Sequence, residues 1–219
     1  MERVNAALTG RFERPLLQWL CERMPPWVTS DRLTALGVAG AALAFAGYWQ
    51  SGSSPAWLWL SCLGIALNWF GDSLDGSLAR HRARERPKYG FFLDHMTDTL
   101  AMALIALGIG CSPYGAMTSA MAVLLGYYVM VILTMVTSKA TGVFAISFAG
   151  VGPTEIRLFI IACTIAAFVW PTPVFDWMGM RFTLYDGVMV GLTGLLVATC
   201  AFQAVQTARM LAVQDPPRD

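Results

Sequence analysis

Charged residues are scarce in this 219-residue sequence. Asp, Glu, Lys and Arg together make up 13% of it, against about 25% in an ordinary soluble domain. Hydrophobic residues make up 56%, and the mean hydropathy is +0.55. This composition excludes a simple soluble globule and predicts several helices of membrane-spanning length.

The sequence also lacks an excess of positive charge and a cysteine framework. Its net charge is +1, from 15 Lys and Arg against 14 Asp and Glu, so it has no surplus of basic residues with which to bind a nucleic-acid backbone. None of its five cysteines forms a CxxC pair, which argues against both a disulfide scaffold and a zinc site. No apolar signal-peptide region follows the N-terminal charges, so the first span is expected to direct membrane insertion.

Six apolar stretches of spanning length are present instead. They cover residues 33–50, 56–76, 91–110, 114–137, 155–172 and 184–206. Each is predicted to be a helix, because a segment in hydrocarbon must satisfy its backbone hydrogen bonds internally. The connections are short, so we expect an all-α integral membrane protein with one domain over residues 1–219 and a six-span bundle over residues 33–206.

The distribution of basic residues predicts the orientation of the chain. An even number of spans puts both termini on one side, and 14 of the 15 Lys and Arg then lie on that side, with only Arg181 opposite. By the positive-inside rule this side is the cytoplasm. The cluster of Arg82, Arg84, Arg86 and Lys88 is expected to set this topology and to face lipid headgroups.

Residues 1–26 precede the first span and mix arginines with apolar side chains such as Phe12, Leu16 and Trp19. This pattern predicts an amphipathic helix that lies on the cytoplasmic face of the membrane. An exposed, disordered leader is the alternative.

Four carboxylates lie at the cytoplasmic ends of the second and third spans: Asp72, Asp75, Asp94 and Asp98. Helical spacing puts the two members of each pair on one face of their helix. Unpaired carboxylates are costly in a span, and only Arg80 is close enough in sequence to offset them directly. Bound divalent cations are therefore the expected counter-charge, and all-oxygen ligation suits Mg²⁺, Mn²⁺ or Ca²⁺.

The run Asp72-Ser-Leu-Asp75-Gly76-Ser-Leu-Ala79-Arg80, followed after nine residues by Gly90-Phe-Phe-Leu-Asp94-His-Met-Thr-Asp98, resembles a known signature. It is that of the CDP-alcohol phosphotransferase family, D-x2-D-G-x2-A-R-x(8 or 9)-G-x3-D-x3-D, and every fixed position is present. The resemblance implies a phospholipid-biosynthetic enzyme that moves a substituted phosphate group from a CDP-linked donor to an alcohol and releases CMP. It also implies six spans, an N-terminal amphipathic helix and a homodimer.

The resemblance further implies roles for individual residues. Two cations, Mg²⁺ or Mn²⁺, would be bound by Asp72, Asp75, Asp94 and Asp98. Asp98 would also act as the general base toward the acceptor hydroxyl. The CDP-linked donor would be met by five residues, namely Thr34, Gly76, Ala79, Arg80 and Gly90.

Three ionisable residues outside the motif, Lys139, Glu155 and Arg157, border the apolar bundle and suggest an acceptor pocket. The two basic residues resemble those that family members with a phosphorylated acceptor use in similar regions, whereas Thr154 and Glu155 resemble a pair in family members that handle choline or ethanolamine. A snorkelling or topogenic role for Lys139 and Arg157 is an equally open alternative.

Among the substrates that the resemblance implies, CDP-diacylglycerol is the expected donor and a polar alcohol the expected acceptor. A transferase that uses CDP-choline or CDP-ethanolamine with a lipid acceptor is the alternative, because the motif does not reveal which substrate carries the lipid. A divalent-cation transporter or channel would explain the carboxylates but not the spacing of Gly76, Ala79, Arg80 and Gly90.

Overall fold

The structure, a computed structural model, describes residues 2–4, 10–145, 152–170, 173–177 and 180–215. These residues form the helices α1 (Gly10–Arg23), α2 (Ser30–Gln50), α3 (Trp57–His81), α4 (Pro87–Cys111), α5 (Met117–Thr141), α6 (Pro153–Val169) and α7 (Leu184–Gln214). Four short strands accompany them: β1 (Glu2–Val4), β2 (Val143–Ala145), β3 (Val174–Trp177) and β4 (Met180–Thr183). β1 pairs in parallel with β2, and β3 pairs with β4 in an antiparallel hairpin.

The six predicted apolar stretches overlap the helices α2 to α7. Two helices extend beyond the predicted stretches, since α3 continues to His81 and α7 continues to Gln214. The sequence of these extensions is too polar to be recognised as part of a span. In the described part of the chain, four helices are long and apolar enough to cross a membrane, namely α2, α4, α5 and α7. A predominantly helical membrane fold is therefore confirmed, and the count of six spans stays a prediction.

The N-terminal helix is shorter than the prediction of residues 1–26. α1 covers Gly10–Arg23, residues 2–4 form a strand, and residues 1 and 5–9 lie outside the described residues. Pro25 and Pro26 follow the helix and disfavour its continuation. One side of α1 exposes Phe12, Leu16 and Trp19, while Cys21 is buried with α3 residues.

Glycines hold α2 and α3 close together. A Cβ atom on Gly40 would lie 2.5 Å from the backbone nitrogen of Asn68, and one on Gly64 would overlap the backbone of Ala44. Small residues at such contacts allow the backbones of two membrane helices to approach closely. The backbones of α2 and α3 are therefore closely packed, which holds the carboxylates of α3 in position.

Two arginines of the basic cluster, Arg82 and Arg86, bind protein groups, which was not predicted from the sequence. The Arg82 guanidinium donates hydrogen bonds to the carbonyls of Met24, Pro25 and Val28, with the first two at 2.9 Å. Arg86 forms an ion pair with Asp31. The turn between α3 and α4 is thereby attached to the start of α2 and to the segment before it. The sequence could not reveal this because the partners lie more than 50 positions away.

Candidate active site

Three of the four predicted carboxylates come together between α3 and α4. One oxygen from each of Asp72, Asp94 and Asp98 lies within 4.8 Å of the other two. Asp94 and Asp98 are one helical turn apart on α4, and Asp72 faces them from α3. Mg²⁺ binds oxygen at about 2.1 Å in octahedral geometry, so two oxygens on one ion lie roughly 3.0 Å apart when adjacent and roughly 4.2 Å apart when opposite, and the three carboxylates would move inward to share one ion. The cluster can therefore hold a divalent cation.

Arg157 of α6 supplies a counter-charge that the sequence analysis did not identify. Its Nη1 donates to Asp72 Oδ2 and its Nη2 donates to Asp98 Oδ1, both at 2.8 Å. The Arg157 side chain is 1% exposed, so the snorkelling alternative is wrong for this residue. The guanidinium binds one oxygen of each carboxylate, which leaves the second oxygen of each for another ligand.

Asp75 is turned toward α2 and away from the other three carboxylates. Its Oδ2 accepts a hydrogen bond from Thr34 Oγ1 at 2.6 Å, and its Oδ1 accepts one from the Gly76 backbone N–H at 2.5 Å. Three residues along an α-helix correspond to about 300° of rotation, so Asp75 lies about 60° around the helix from Asp72. This offset points Asp75 toward α2, where its partner is Thr34. Thr34 is one of the residues expected from the sequence to meet the CDP-linked donor.

The small residues of the motif face open space. A Cβ on Gly90 would meet nothing within 4 Å, and one on Gly76 would meet only the Arg80 guanidinium, with its nearest atom at 3.4 Å. Close packing of helices therefore does not explain either glycine. Arg80 is exposed, with Nη2 3.2 Å from Ser77 Oγ, and Ala79 is half-buried. Arg80 thus places a cation beside Gly76, a position without a side chain.

A cavity of about 10 Å³ adjoins Asp72 and Asp98, and it is lined also by Thr34, Gly37, Val38, Asn68 and Thr97. This volume is close to the space that one water molecule requires. Asn68 donates from Nδ2 to the Gly37 carbonyl at 3.0 Å, while its buried Oδ1 has no hydrogen-bond partner among the described residues. Asn68 was not predicted from the sequence as a site residue. The available signal was a polar amide one helical turn before Asp72 in an apolar run.

The predicted acceptor-binding residues occupy different environments. Glu155 Oε2 accepts a hydrogen bond from the Gly152 backbone N–H at 2.9 Å, and Thr154 donates to Glu13 at the same distance. Both residues therefore stabilise the start of α6. Lys139 is exposed in the last turn of α5, and among the described contacts it has none with the three clustered carboxylates.

Comparisons with known proteins agree with the motif. Residues 23–199 match the family model of CDP-alcohol phosphatidyltransferases. Cholinephosphotransferase 1 of Homo sapiens is 30% identical over 115 residues, which cover 48% of this chain and 28% of the human protein. Cholinephosphotransferase 1 of Danio rerio is 28% identical over 113 residues, which cover 48% of this chain and 29% of the fish protein. The match therefore spans less than a third of the length of these curated relatives.

A solved structure has the same fold. The crystal structure of Mycobacterium tuberculosis phosphatidylinositol phosphate synthase with CDP-DAG bound aligns with a TM-score of 0.59 and 17% sequence identity. The alignment covers 90% of this chain and 94% of the mycobacterial chain. The family predicted from the residues at positions 72 to 98 is thus confirmed, and the chain belongs to the CDP-alcohol phosphatidyltransferase family.

Proposed function

We propose that this chain transfers a substituted phosphate group from a CDP-linked donor to an alcohol acceptor and releases CMP. One observation carries the proposal: the oxygens of Asp72, Asp94 and Asp98 lie within 4.8 Å of one another, and the buried guanidinium of Arg157 holds two of these carboxylates. The family match supports an enzyme of phospholipid biosynthesis over the cation transporter or channel.

The carboxylates of the site fit two divalent cations, Mg²⁺ or Mn²⁺, as ligands. Asp72, Asp94 and Asp98 would bind them, and Asp75 would join as a ligand by exchanging Thr34 for a cation. The four carboxylates leave a net negative charge even with Arg157 in place, and two divalent cations would reverse its sign, which suits a negatively charged diphosphate. When bound, the cations would polarise the donor diphosphate and offset charge on the leaving CMP oxygen.

Asp98 acts in this proposal as the general base. Arg157 holds Oδ1 of Asp98, so Oδ2 is left to take the proton from the acceptor hydroxyl. The acceptor oxygen then forms a bond to the transferred phosphorus, the bond from that phosphorus to the CMP oxygen breaks, and CMP leaves with the bonding electrons. Arg80 binds the donor phosphates, while Gly76, Ala79 and Gly90 give the nucleotide room to lie against the two helices.

The preferred substrates are CDP-diacylglycerol and a polar alcohol. The solved neighbour of the same fold has CDP-DAG bound, which supports this donor. The pair that pointed to an aminoalcohol, Thr154 and Glu155, is engaged by Glu13 and by the Gly152 backbone at the start of α6. A phosphorylated acceptor would meet the basic Lys139, and it would meet Arg157 by displacing Asp72 or Asp98 from the guanidinium.

A second candidate is transfer of phosphocholine or phosphoethanolamine from its CDP derivative to a lipid acceptor. The curated relatives at 28% and 30% identity are cholinephosphotransferases, and this is the observation that favours it.

The proposed membrane arrangement has α2 to α7 as six spans of a single domain, with both termini in the cytoplasm. α1 lies on the cytoplasmic surface, where its exposed Phe12, Leu16 and Trp19 contact lipid. The active site then faces the cytoplasm, and the chain forms a homodimer as the family resemblance implies.

A donor screen tests the proposed function. Purified full-length protein is incubated with Mg²⁺ and with CDP-diacylglycerol, CDP-choline or CDP-ethanolamine, each with a panel of acceptors, and CMP is followed. Release with CDP-diacylglycerol supports the preferred substrates, and release with an aminoalcohol donor supports the second candidate. The Asp94→Asn variant serves as the matched control, and absence of CMP from every donor would contradict the proposal.

A further inference from the structure

One carboxylate oxygen of Glu13 accepts hydrogen bonds from three side chains on two other helices. Trp69 Nε1 donates to Glu13 Oε1 at 3.0 Å and Ser73 Oγ donates at 3.1 Å, both from α3. Thr154 Oγ1 donates to the same oxygen at 2.9 Å from α6. Glu13 thus joins α1, α3 and α6 at a single atom.

This arrangement differs from that of an ordinary surface glutamate. The other glutamate of α1, Glu22, is exposed and accepts only a 3.3 Å hydrogen bond from Gln18 of its own helix. Glu13 is half-buried. Hydrogen bonds to an ionised carboxylate are stronger than those between neutral groups, and they strengthen as water is excluded.

Two of the three donors are close in sequence to residues of the Arg157 ion pairs. Ser73 directly follows Asp72 in α3, and Thr154 lies one helical turn before Arg157 in α6. The Glu13 contact therefore fixes the spacing between α3 and α6 one turn from the ion pair of Arg157 with Asp72.

We propose that Glu13 is a positioning residue for the carboxylate cluster. By holding the first turn of α6 against α3, it sets the position from which the Arg157 guanidinium reaches Asp72 and Asp98. It contacts neither substrate nor cation. Because Glu13 belongs to α1, the position of this N-terminal helix affects the geometry of the carboxylate cluster.

The matched variants are Glu13→Ala, Glu13→Gln and Glu22→Ala. Glu13→Ala removes the shared acceptor, and kcat per donor-binding site should fall by about 10- to 100-fold, the range expected for a misplaced catalytic group. The concentration of Mn²⁺ for half-maximal activity should rise, while the donor KM measured at saturating Mn²⁺ stays unchanged because Gly76, Arg80 and Gly90 are untouched. Glu13→Gln keeps an acceptor oxygen and should retain most of the turnover, and Glu22→Ala should match wild type.

A second pair of variants tests the same contact from α6. Thr154→Val removes the hydroxyl that donates to Glu13 and should reproduce part of the Glu13→Ala defect. Thr154→Ser keeps a hydroxyl at this position and should retain most of the turnover. Combining Glu13→Ala with Thr154→Val should cost less than the sum of the two single effects, because both remove one shared interaction.

The inference rests on the proposed function, so Mn²⁺ affinity is also measured without turnover, by titration followed with electron paramagnetic resonance. A wild-type protein that releases no CMP contradicts the proposed function, and the Mn²⁺ titrations still decide the role of Glu13. Weaker Mn²⁺ binding in Glu13→Ala, with Glu13→Gln close to wild type, supports the role. Wild-type Mn²⁺ affinity and wild-type kcat per site in Glu13→Ala would overturn the proposed role, even if less folded protein were recovered. Equal losses of Mn²⁺ affinity and kcat in Glu13→Ala and Glu13→Gln would overturn it as well.

Discussion

Arg157 donates from Nη2 to Asp98 Oδ1 across 2.8 Å, although the two residues lie 59 positions apart in the sequence. The other terminal nitrogen of the same guanidinium binds Asp72, also at 2.8 Å. With Arg157 only 1% exposed, water cannot stabilise its charge, so the arginine depends on the two aspartates. The aspartates in turn have a protein counter-charge before any cation binds.

Removal of Arg157 is expected to destabilise the protein strongly. Arg157→Ala leaves Asp72 and Asp98 without their partner, and breaking a buried pair costs about 3–5 kcal/mol of unfolding free energy. Mn²⁺ should restore part of the loss because it can bind the freed carboxylates. Melting temperatures with and without Mn²⁺ measure both effects.

Arg86→Ala is the control for that experiment, since Arg86 and its partner Asp31 are both about half exposed and such pairs contribute about 0–1 kcal/mol. Equal melting temperatures for Arg157→Ala and Arg86→Ala would contradict the role assigned to the buried pair.

Loss of a clustered carboxylate should weaken cation binding more than loss of Asp75. Asp94→Asn removes a ligand from the group of oxygens that lie within 4.8 Å, and Mn²⁺ affinity should fall by at least about tenfold. Asp75→Asn should have a smaller effect, because this carboxylate must first give up its hydrogen bond with Thr34. Mn²⁺ titration of the two variants under identical conditions checks the order, and a larger loss in Asp75→Asn would reverse it.

The carboxylates also show where sequence reasoning succeeds and where it ends. Local spacing predicted that Asp94 and Asp98 share a face of one helix and that Asp72 approaches them, because helical periodicity depends only on nearby residues. It could not reveal that Asp75 turns to Thr34, since this depends on which neighbour packs at each angle around α3.

Contacts between distant segments were the part of the fold that the sequence could not supply. Arg157 lies 85 positions from Asp72, and Glu13 lies 141 positions from Thr154. An arginine in an apolar stretch signals that some partner must exist, but only the packing of α6 against α3 identifies it. The helices themselves were predictable because long apolar runs have few other conformations available in a membrane.

Asp98→Asn should separate base catalysis from cation binding. Asparagine is nearly the same shape but cannot take a proton, so donor binding should persist while CMP release falls by at least about 10². Donor titration and single-turnover CMP release measure the two properties independently. If donor affinity instead falls together with the rate, and excess Mg²⁺ restores both, Asp98 is chiefly a ligand.

The proposed orientation can be tested by cysteine labelling. Arg84 and Ser53 are both exposed and lie in the connections at opposite ends of α3, so Arg84→Cys should label from the cytoplasm and Ser53→Cys from the other side. The exposed Cys111 is replaced first, whereas Cys21 is buried and burial raises the pKa of its thiol, which limits its reactivity. Labelling of both positions from one side would refute the six-span arrangement.

Cation-dependent release of CMP tests the central claim most directly. Purified protein is supplied with CDP-diacylglycerol and an acceptor, treated exhaustively with EDTA, and then given Mg²⁺ or Mn²⁺ in excess. Because Asp72, Asp94 and Asp98 are proposed to act through bound cations, CMP release should cease on chelation and return with either ion. Undiminished release after complete removal of divalent cations would contradict this account of the site.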